Sequence, residues 1–263
     1  MQLRDVQHRL SQHMSSIIDV QEGSRGGGIF VFAISHPTSL EGEISCRETW
    51  AKRLNVTWFS TEKTFPDTIV VSAEPNTYMN IFARVIKIWA YVYKEYKGYD
   101  WYVRLWPDNY VYHDRLLQLL ESYDPGKPQI LGTVSYHGKY EFVGGGAGWA
   151  LSRAAFRNWI QHDGDSLEGC ERPDDISSNY SFAEDVIICT CLSHSKVRLV
   201  HRGDVFLSFP FDHEENARVT PEDFKRIVTL HYMSPQQIKQ TWRDEHSKSP
   251  QGNHTNLASL HTL

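Results

Sequence analysis

No stretch of this chain approaches the roughly 20 consecutive apolar residues that a membrane-spanning helix needs. The first residues, Met1 to Arg25, are polar apart from Ile17, Ile18 and Val20. That is not the pattern of a secretory signal. The stub of a stem, a truncated chain and a mis-assigned start all fit this opening. Positive charge is also scarce. With 27 Lys and Arg against 32 Asp and Glu the net charge is -5, and no basic run stands out. This argues against nucleic-acid binding as the main task, because phosphate binding needs a concentrated positive surface. Cysteine is sparse too: Cys46, Cys170, Cys189 and Cys191 include no CxxC pair, and no histidine cluster completes a zinc site. No internal repeat is present.

What is present is an aromatic-rich globular composition, long enough for one large domain or two small ones and for a sizeable core. Three glycosylation sequons, at Asn55, Asn179 and Asn253, lean toward a secretory location. Ile29 to Ile34 has the length and apolarity of a buried strand. Val56 to Ser60, Thr68 to Ser72, Trp101 to Leu105, Gln129 to Val134, Val197 to Val200 and Ile227 to Tyr232 read as further strands. Helical spacing covers Glu43 to Leu54, Pro75 to about Tyr96 with a stripe of Ile81, Val85, Ile88 and Val92, Asp114 to Ser122, Ser152 to Ile160, and Phe182 to Leu192. The alternation of strands and helices predicts an α/β fold with a mixed, mostly parallel sheet flanked by helices. Three segments follow: a polar, stem-like 1–27, a folded domain over 28–242 and a polar, disordered tail over 243–263.

The segment richest in chemistry is Asp100-Trp-Tyr-Val-Arg-Leu-Trp-Pro-Asp108, a buried strand that runs into an acidic turn. Open α/β sheets bind ligands at the carboxyl ends of their strands, which singles out Asp108. The glycines of Val143-Gly-Gly-Gly-Ala-Gly-Trp149 permit close backbone approach to a ligand, or make a tight turn between strands. Glu184 and Asp185 open a helix, as catalytic carboxylates or as charges that suit a helix amino terminus. His231 closes the last apolar strand, and a lone histidine there is either a ligand or a structural residue.

Taken together, several blocks resemble one family. They are Glu48-Thr-Trp-Ala-Lys-Arg53, Asp100-Trp with Asp108-Asn-Tyr-Val111, Tyr123-Asp-Pro125, Gly145-Gly-Ala-Gly-Trp149 with Leu151-Ser152, Glu184-Asp185 with Cys191 six residues on, and His231-Tyr232. In this order and spacing the chain, over roughly Gly28 to Trp242, resembles the fringe-like inverting β-1,3-glycosyltransferases. It is most similar to the branch that adds galactose to GalNAc on Ser/Thr. The resemblance implies a GT-A-type, nucleotide-sugar-binding fold, a UDP-sugar donor, a divalent metal such as Mn2+, and a glycoprotein or glycopeptide acceptor. It also implies a type II membrane protein of the Golgi lumen, with a short amino-terminal anchor that this chain lacks.

Carried over residue by residue, the resemblance makes Asp108 and His231 the metal ligands. Asp185 becomes the base that takes the acceptor proton, with Glu184 beside it. Arg47, Thr49, Asp108, Gly145 and Gly146 line the donor, and Trp149 meets the acceptor. It pairs Cys170 with Cys191 in a disulfide. Asp174-Asp175 is a rival acidic pair for the base. One departure stands out: Trp106 and Pro107 occupy positions that are acidic in the family. That change keeps a second reading open, a catalytically inactive relative that binds a client protein or a glycan. A lectin-like binder is a third.

Overall fold

The computed structural model of the chain describes residues 27–72, 80–174, 176, 184–208 and 221–247. Strand β1 (Ile29–Ile34) shows why the fold is layered. Phe30, Phe32 and Ile34 face one core, and Val31 and Ala33 face another. A strand apolar on both faces belongs inside a sheet covered on both sides.

The sheet has six strands in the order β2–β1–β3–β8–β5–β9, where β2 is Val56–Phe59, β3 Trp101–Leu105, β5 Gln129–Gly132, β8 Trp149–Ser152 and β9 Arg198–His201. β1 runs parallel to β2 and β3, and β9 runs parallel to β5. Only β8 runs against its neighbours β3 and β5. The mixed, mostly parallel sheet flanked by helices is the α/β arrangement expected from the sequence.

One face is covered by α2 (Ile81–Glu95), α4 (Arg153–Asp163) and α5 (Glu184–His194). Their Val85, Ile88, Trp89, Phe156, Trp159 and Ile187 meet Phe32 and Leu151. Burying each aliphatic side chain of this set contributes about 1.5–3 kcal/mol. The other face carries α1 (Leu40–Glu48), α3 (His113–Glu121) and α7 (Pro235–His246), through Cys46, Leu116, Leu120 and Ile238. Ser152 caps α4 by accepting the Ala155 N–H. Ser234 and Gln237 close a reciprocal capping box on α7.

Two smaller sheets complete the frame. β6 (Val134–His137) and β7 (Tyr140–Val143) form a hairpin. β10 (Phe206–Leu207) and β4 (Tyr110–Val111) flank β11 (Thr229–Leu230). A single-turn helix, α6 (Pro221–Phe224), precedes β11.

Several elements differ from expectation. The helix predicted over Glu43 to Leu54 is split: α1 stops at Glu48, and a 3-10 turn covers Trp50–Arg53. Thr68 to Ser72 is not a strand, since Ile69 makes only a single parallel bridge to Phe59. Among the described residues α2 begins at Ile81, and its predicted start at Pro75 lies outside them. The Gln129 strand ends at Gly132, and the glycine-broken segment from Glu141 holds the end of a hairpin and the start of β8. Helix α7 continues through His246, past the Trp242 boundary. Among the described residues no helix is long and apolar enough to cross a membrane.

The disulfide is present. Cys170 is bonded to Cys191, tying the segment after α4 to helix α5. Cys46 and Cys189 are free and buried.

Candidate active site

The carboxyl end of β3 is where the chemistry collects. After Leu105 the chain makes a tight turn, with the Asn109 N–H donating to the Trp106 carbonyl at 3.1 Å. The Asn109 side chain accepts the Trp106 N–H at 2.7 Å. That turn leaves the Asp108 side chain 41 % exposed while its neighbours Pro107 and Asn109 are buried.

The small sheet delivers the second group. β11 pairs antiparallel with β4, Leu230 against Tyr110, which brings the next residue, His231, beside the Asp108 turn. The Met233 N–H then donates to the Asp108 carbonyl at 2.9 Å and fixes the approach. His231 Nε2 lies 3.3 Å from Asp108 Oδ2. Its Nδ1 lies 3.0 Å from the Ser208 carbonyl oxygen. A carbonyl can only accept, so Nδ1 carries a proton, and Nε2 is the ring atom that faces Asp108. A proton or a cation can sit between that nitrogen and the carboxylate. Tyr232 stacks on the His231 ring at 3.7 Å between centroids, with φ of 55°, a backbone region that a side-chain-bearing residue seldom adopts.

The third contribution is the glycine loop before β8. The Gly145 carbonyl accepts Trp106 Nε1–H at 3.1 Å, and the Gly146 carbonyl accepts the Asn109 amide at 2.8 Å. A β-carbon on Gly146 would collide with the His231 ring, and one on Gly145 would lie 3.0 Å from the Arg104 guanidinium. Glycine is needed here for close approach.

The fourth is the amino terminus of α5. Asp185 accepts the Gly145 N–H at 3.1 Å through Oδ2 and the Val186 N–H at 2.9 Å through Oδ1. Each oxygen keeps a free lone pair. Glu184, 5 % exposed, pairs instead with Arg104, whose Nη1 is 3.3 Å from Oε2 and whose Nη2 is closer still to Oε1. Burial pushes the Glu184 carboxyl up to about 7, against the pull of the Arg104 guanidinium.

These groups share one cleft of about 1070 Å³, lined by Glu41, Asp108, Gly146, Asp185, Ser208 and His231 among others. Among the described residues of its lining there is no lysine or arginine. A carboxylate oxygen and an imidazole nitrogen held by an outer carbonyl fit a divalent ion such as manganese. Elsewhere, Asp163, Cys170 and Cys191 also cluster, but both sulfurs are consumed in the disulfide.

A family model described as Fringe-like matches residues 46–262. The chain belongs to the Fringe-like family. It is 24 % identical over 204 residues to the glycoprotein-N-acetylgalactosamine 3-beta-galactosyltransferase 1 of Xenopus laevis, covering 73 % of this chain. The chain spans about half, 54 %, of that relative's length. The crystal structure of a glycosyltransferase involved in the glycosylation of the major capsid of PBCV-1 is also similar. That match is 14 % identical, with a TM-score of 0.49, over 80 % of this chain and 98 % of the other.

In this Fringe-like chain the cleft brings together Asp108, His231, Asp185, Glu184, Gly145 and Gly146. Three expected residues stand elsewhere. Arg47 donates to Glu43 through Nε and to Asp67 through Nη1, both at 2.8 Å, and its guanidinium packs over Trp58 and Phe65. It is buried there and stands outside the cleft lining. Thr49 is 3 % exposed and donates its hydroxyl to the Ser45 carbonyl of its own helix. Trp149 is 1 % exposed and stacks on Trp89 in the core, centroids 5.1 Å apart, so it cannot meet an acceptor. Of the rival pair, Asp174 is exposed and outside the cleft lining, and Asp175 lies outside the described residues.

Sequence reasoning passed over Arg104. A fully buried arginine inside a five-residue strand demands a buried partner, and that demand was the available signal.

Proposed function

We propose that this chain is an inverting, metal-dependent β-1,3-glycosyltransferase. It moves a sugar, galactose from UDP-galactose, onto a GalNAc-type O-glycan acceptor on glycoproteins. One observation carries the reading: the Asp108–His231 pair and the backbone-held Asp185 carboxylate open into the same cleft. Family membership and the galactosyltransferase relative support the choice of donor and acceptor.

Asp185 takes the proton from the acceptor hydroxyl, using the lone pair that its two N–H donors leave free. The oxygen so activated attacks the anomeric carbon on the face opposite the nucleotide. The new C–O bond forms as the bond to the diphosphate breaks, and UDP departs with the electron pair, inverting the centre. A divalent ion held by Asp108 and His231 would offset the charge that gathers on the departing diphosphate. Gly145 and Gly146 offer close backbone approach to the sugar. Glu184 is a positioning residue: paired with Arg104 behind the loop, it holds the start of α5 in place. Placement in the Golgi lumen, a type II anchor, and the division into 1–27, 28–242 and 243–263 belong to the same proposal.

Calorimetry of UDP binding, with and without manganese, tests it on the wild type and on Asp108→Ala. Manganese-dependent binding that the substitution abolishes is the expected result, followed by transfer to GalNAc peptides. Absence of UDP binding under every condition overturns the enzyme reading. It would favour the second one, an inactive relative that binds a client or a glycan. Trp106-Pro107, beside Asp108, is the observation behind that alternative.

A further inference from the structure

A column of flat groups runs from the core to the cleft. Trp89 and Trp149 stack with 8° between their planes. The Arg104 guanidinium lies 5.4 Å from the Trp149 ring centroid and 4.6 Å from that of Trp106. Trp106 ends the column at the cleft wall, only partly buried. Its indole is fixed by two contacts: the Gly145 carbonyl accepts its Nε1–H at 3.1 Å, and Arg104 packs on its ring. The Asn109 side chain holds the Trp106 backbone by accepting its N–H at 2.7 Å.

This fixing has a chemical consequence. A ring whose hydrogen-bond donor is satisfied and whose orientation is locked presents a rigid, apolar surface at low entropic cost. It stands two residues from Asp108 in sequence. Through Gly145, whose carbonyl it holds and whose N–H meets Asp185, it also touches the segment that positions the base. The space it bounds is therefore between the diphosphate end of the cleft and the base.

We propose that Trp106 is a stacking platform for the donor sugar ring. Its indole packs against the ring's C–H face and sets which hexose the cleft accepts. The proposal rests on the donor-binding reading above. It also converts the loss of an acidic residue at this position from a defect into a specificity device, since an indole can grip a sugar where a carboxylate could only bond its hydroxyls.

The test compares UDP with UDP-galactose, both with manganese, on the wild type, Trp106→Phe and Trp106→Leu. The expected result is that the wild type prefers UDP-galactose, that Trp106→Phe keeps most of the preference, and that Trp106→Leu loses about 10-fold of it, the worth of one stacking contact. If Phe and Leu lose it equally, the ring acts only through its bond to Gly145 and the platform is overturned. An unchanged preference in Trp106→Leu overturns it as well. If the wild type binds no UDP, the donor reading has failed separately. Saturation-transfer NMR of methyl α-galactoside, which has the anomeric configuration of the donor sugar, then decides the platform alone. Transfer lost in Trp106→Leu supports it, and no transfer in the wild type overturns it.

Discussion

Asp185 accepts the backbone N–H of Gly145 at 3.1 Å, so the helix that carries the proposed base and the loop that lines the proposed sugar site hold one another in place. The carboxylate is thereby aimed by the backbone, without a side chain that a ligand would have to displace.

Asp185→Asn should keep the tie between helix and loop, because the amide oxygen can still accept the Gly145 N–H, while the bond from the Val186 N–H is given up. The proton acceptor is lost, so transfer to a GalNAc peptide should fall by about 10²- to 10⁴-fold. Manganese-dependent UDP affinity should stay close to that of the wild type. Single-turnover transfer assays beside calorimetry would separate the two effects, and a variant that transfers at the normal rate would remove Asp185 from the role of base.

At Gly146 the His231 ring fills the place of a side chain. Gly146→Ala should push that ring away from Asp108 and cost about 1–3 kcal/mol of stability through overpacking. The more telling readout is the rise in melting temperature on adding manganese. It should be present in the wild type and small or absent in the variant.

Arg104 and Glu184 form a buried pair, and breaking it from one side leaves an uncompensated charge. Arg104→Met should destabilise the fold by about 3–5 kcal/mol, whereas Arg104→Met combined with Glu184→Leu should recover much of that loss. Urea unfolding of both singles and the double gives the coupling. Additive losses would mean that the pair contributes little.

Glu184 also gives a pH signature. Its carboxyl is raised to about 7 in the folded chain, above its ordinary value of 4.5, because burial disfavours the charged form. A raised group binds its proton more tightly when folded. Its stabilising contribution is therefore complete below pH 4.5 and fades as pH rises through 7. Relative to Glu184→Gln, which does not titrate, the wild type should lose melting temperature between pH 4.5 and 7. A flat difference across that range would refute the shift.

The thiols make a simpler case. Cys46 and Cys189 are buried, and burial raises both well above the ordinary thiol range. Native protein should not react with a thiol reagent at either site, and denatured protein should react at both. Replacing Cys170 and Cys191 together by serine should cost about 2–4 kcal/mol, the usual worth of a disulfide.

The two halves of the proposed metal pair were legible because each ends an apolar run: Asp108 follows the strand Trp101–Leu105, and His231 follows β11. The misplacements have physical causes that spacing does not reveal. Trp149 opens a strand buried on both faces, where an aromatic ring is drawn to the core before it is drawn to a ligand. Arg47 has Glu43 one helical turn earlier, and that pairing, visible in the sequence, outcompetes a distant phosphate. The Arg104–Glu184 pair was hidden for a different reason. Its members are 80 residues apart, and only the packing of α5 against the sheet joins them.

The last strand of the large sheet, β9, ends at His201, whereas His231 follows β11 of the small sheet. A chain made only through residue 201 therefore holds every strand of the six-stranded sheet but only one member of the Asp108–His231 couple. It also lacks Phe206, Leu230 and Ile238, which belong to the core on one face of that sheet, so the stretch that brings His231 also completes the packing.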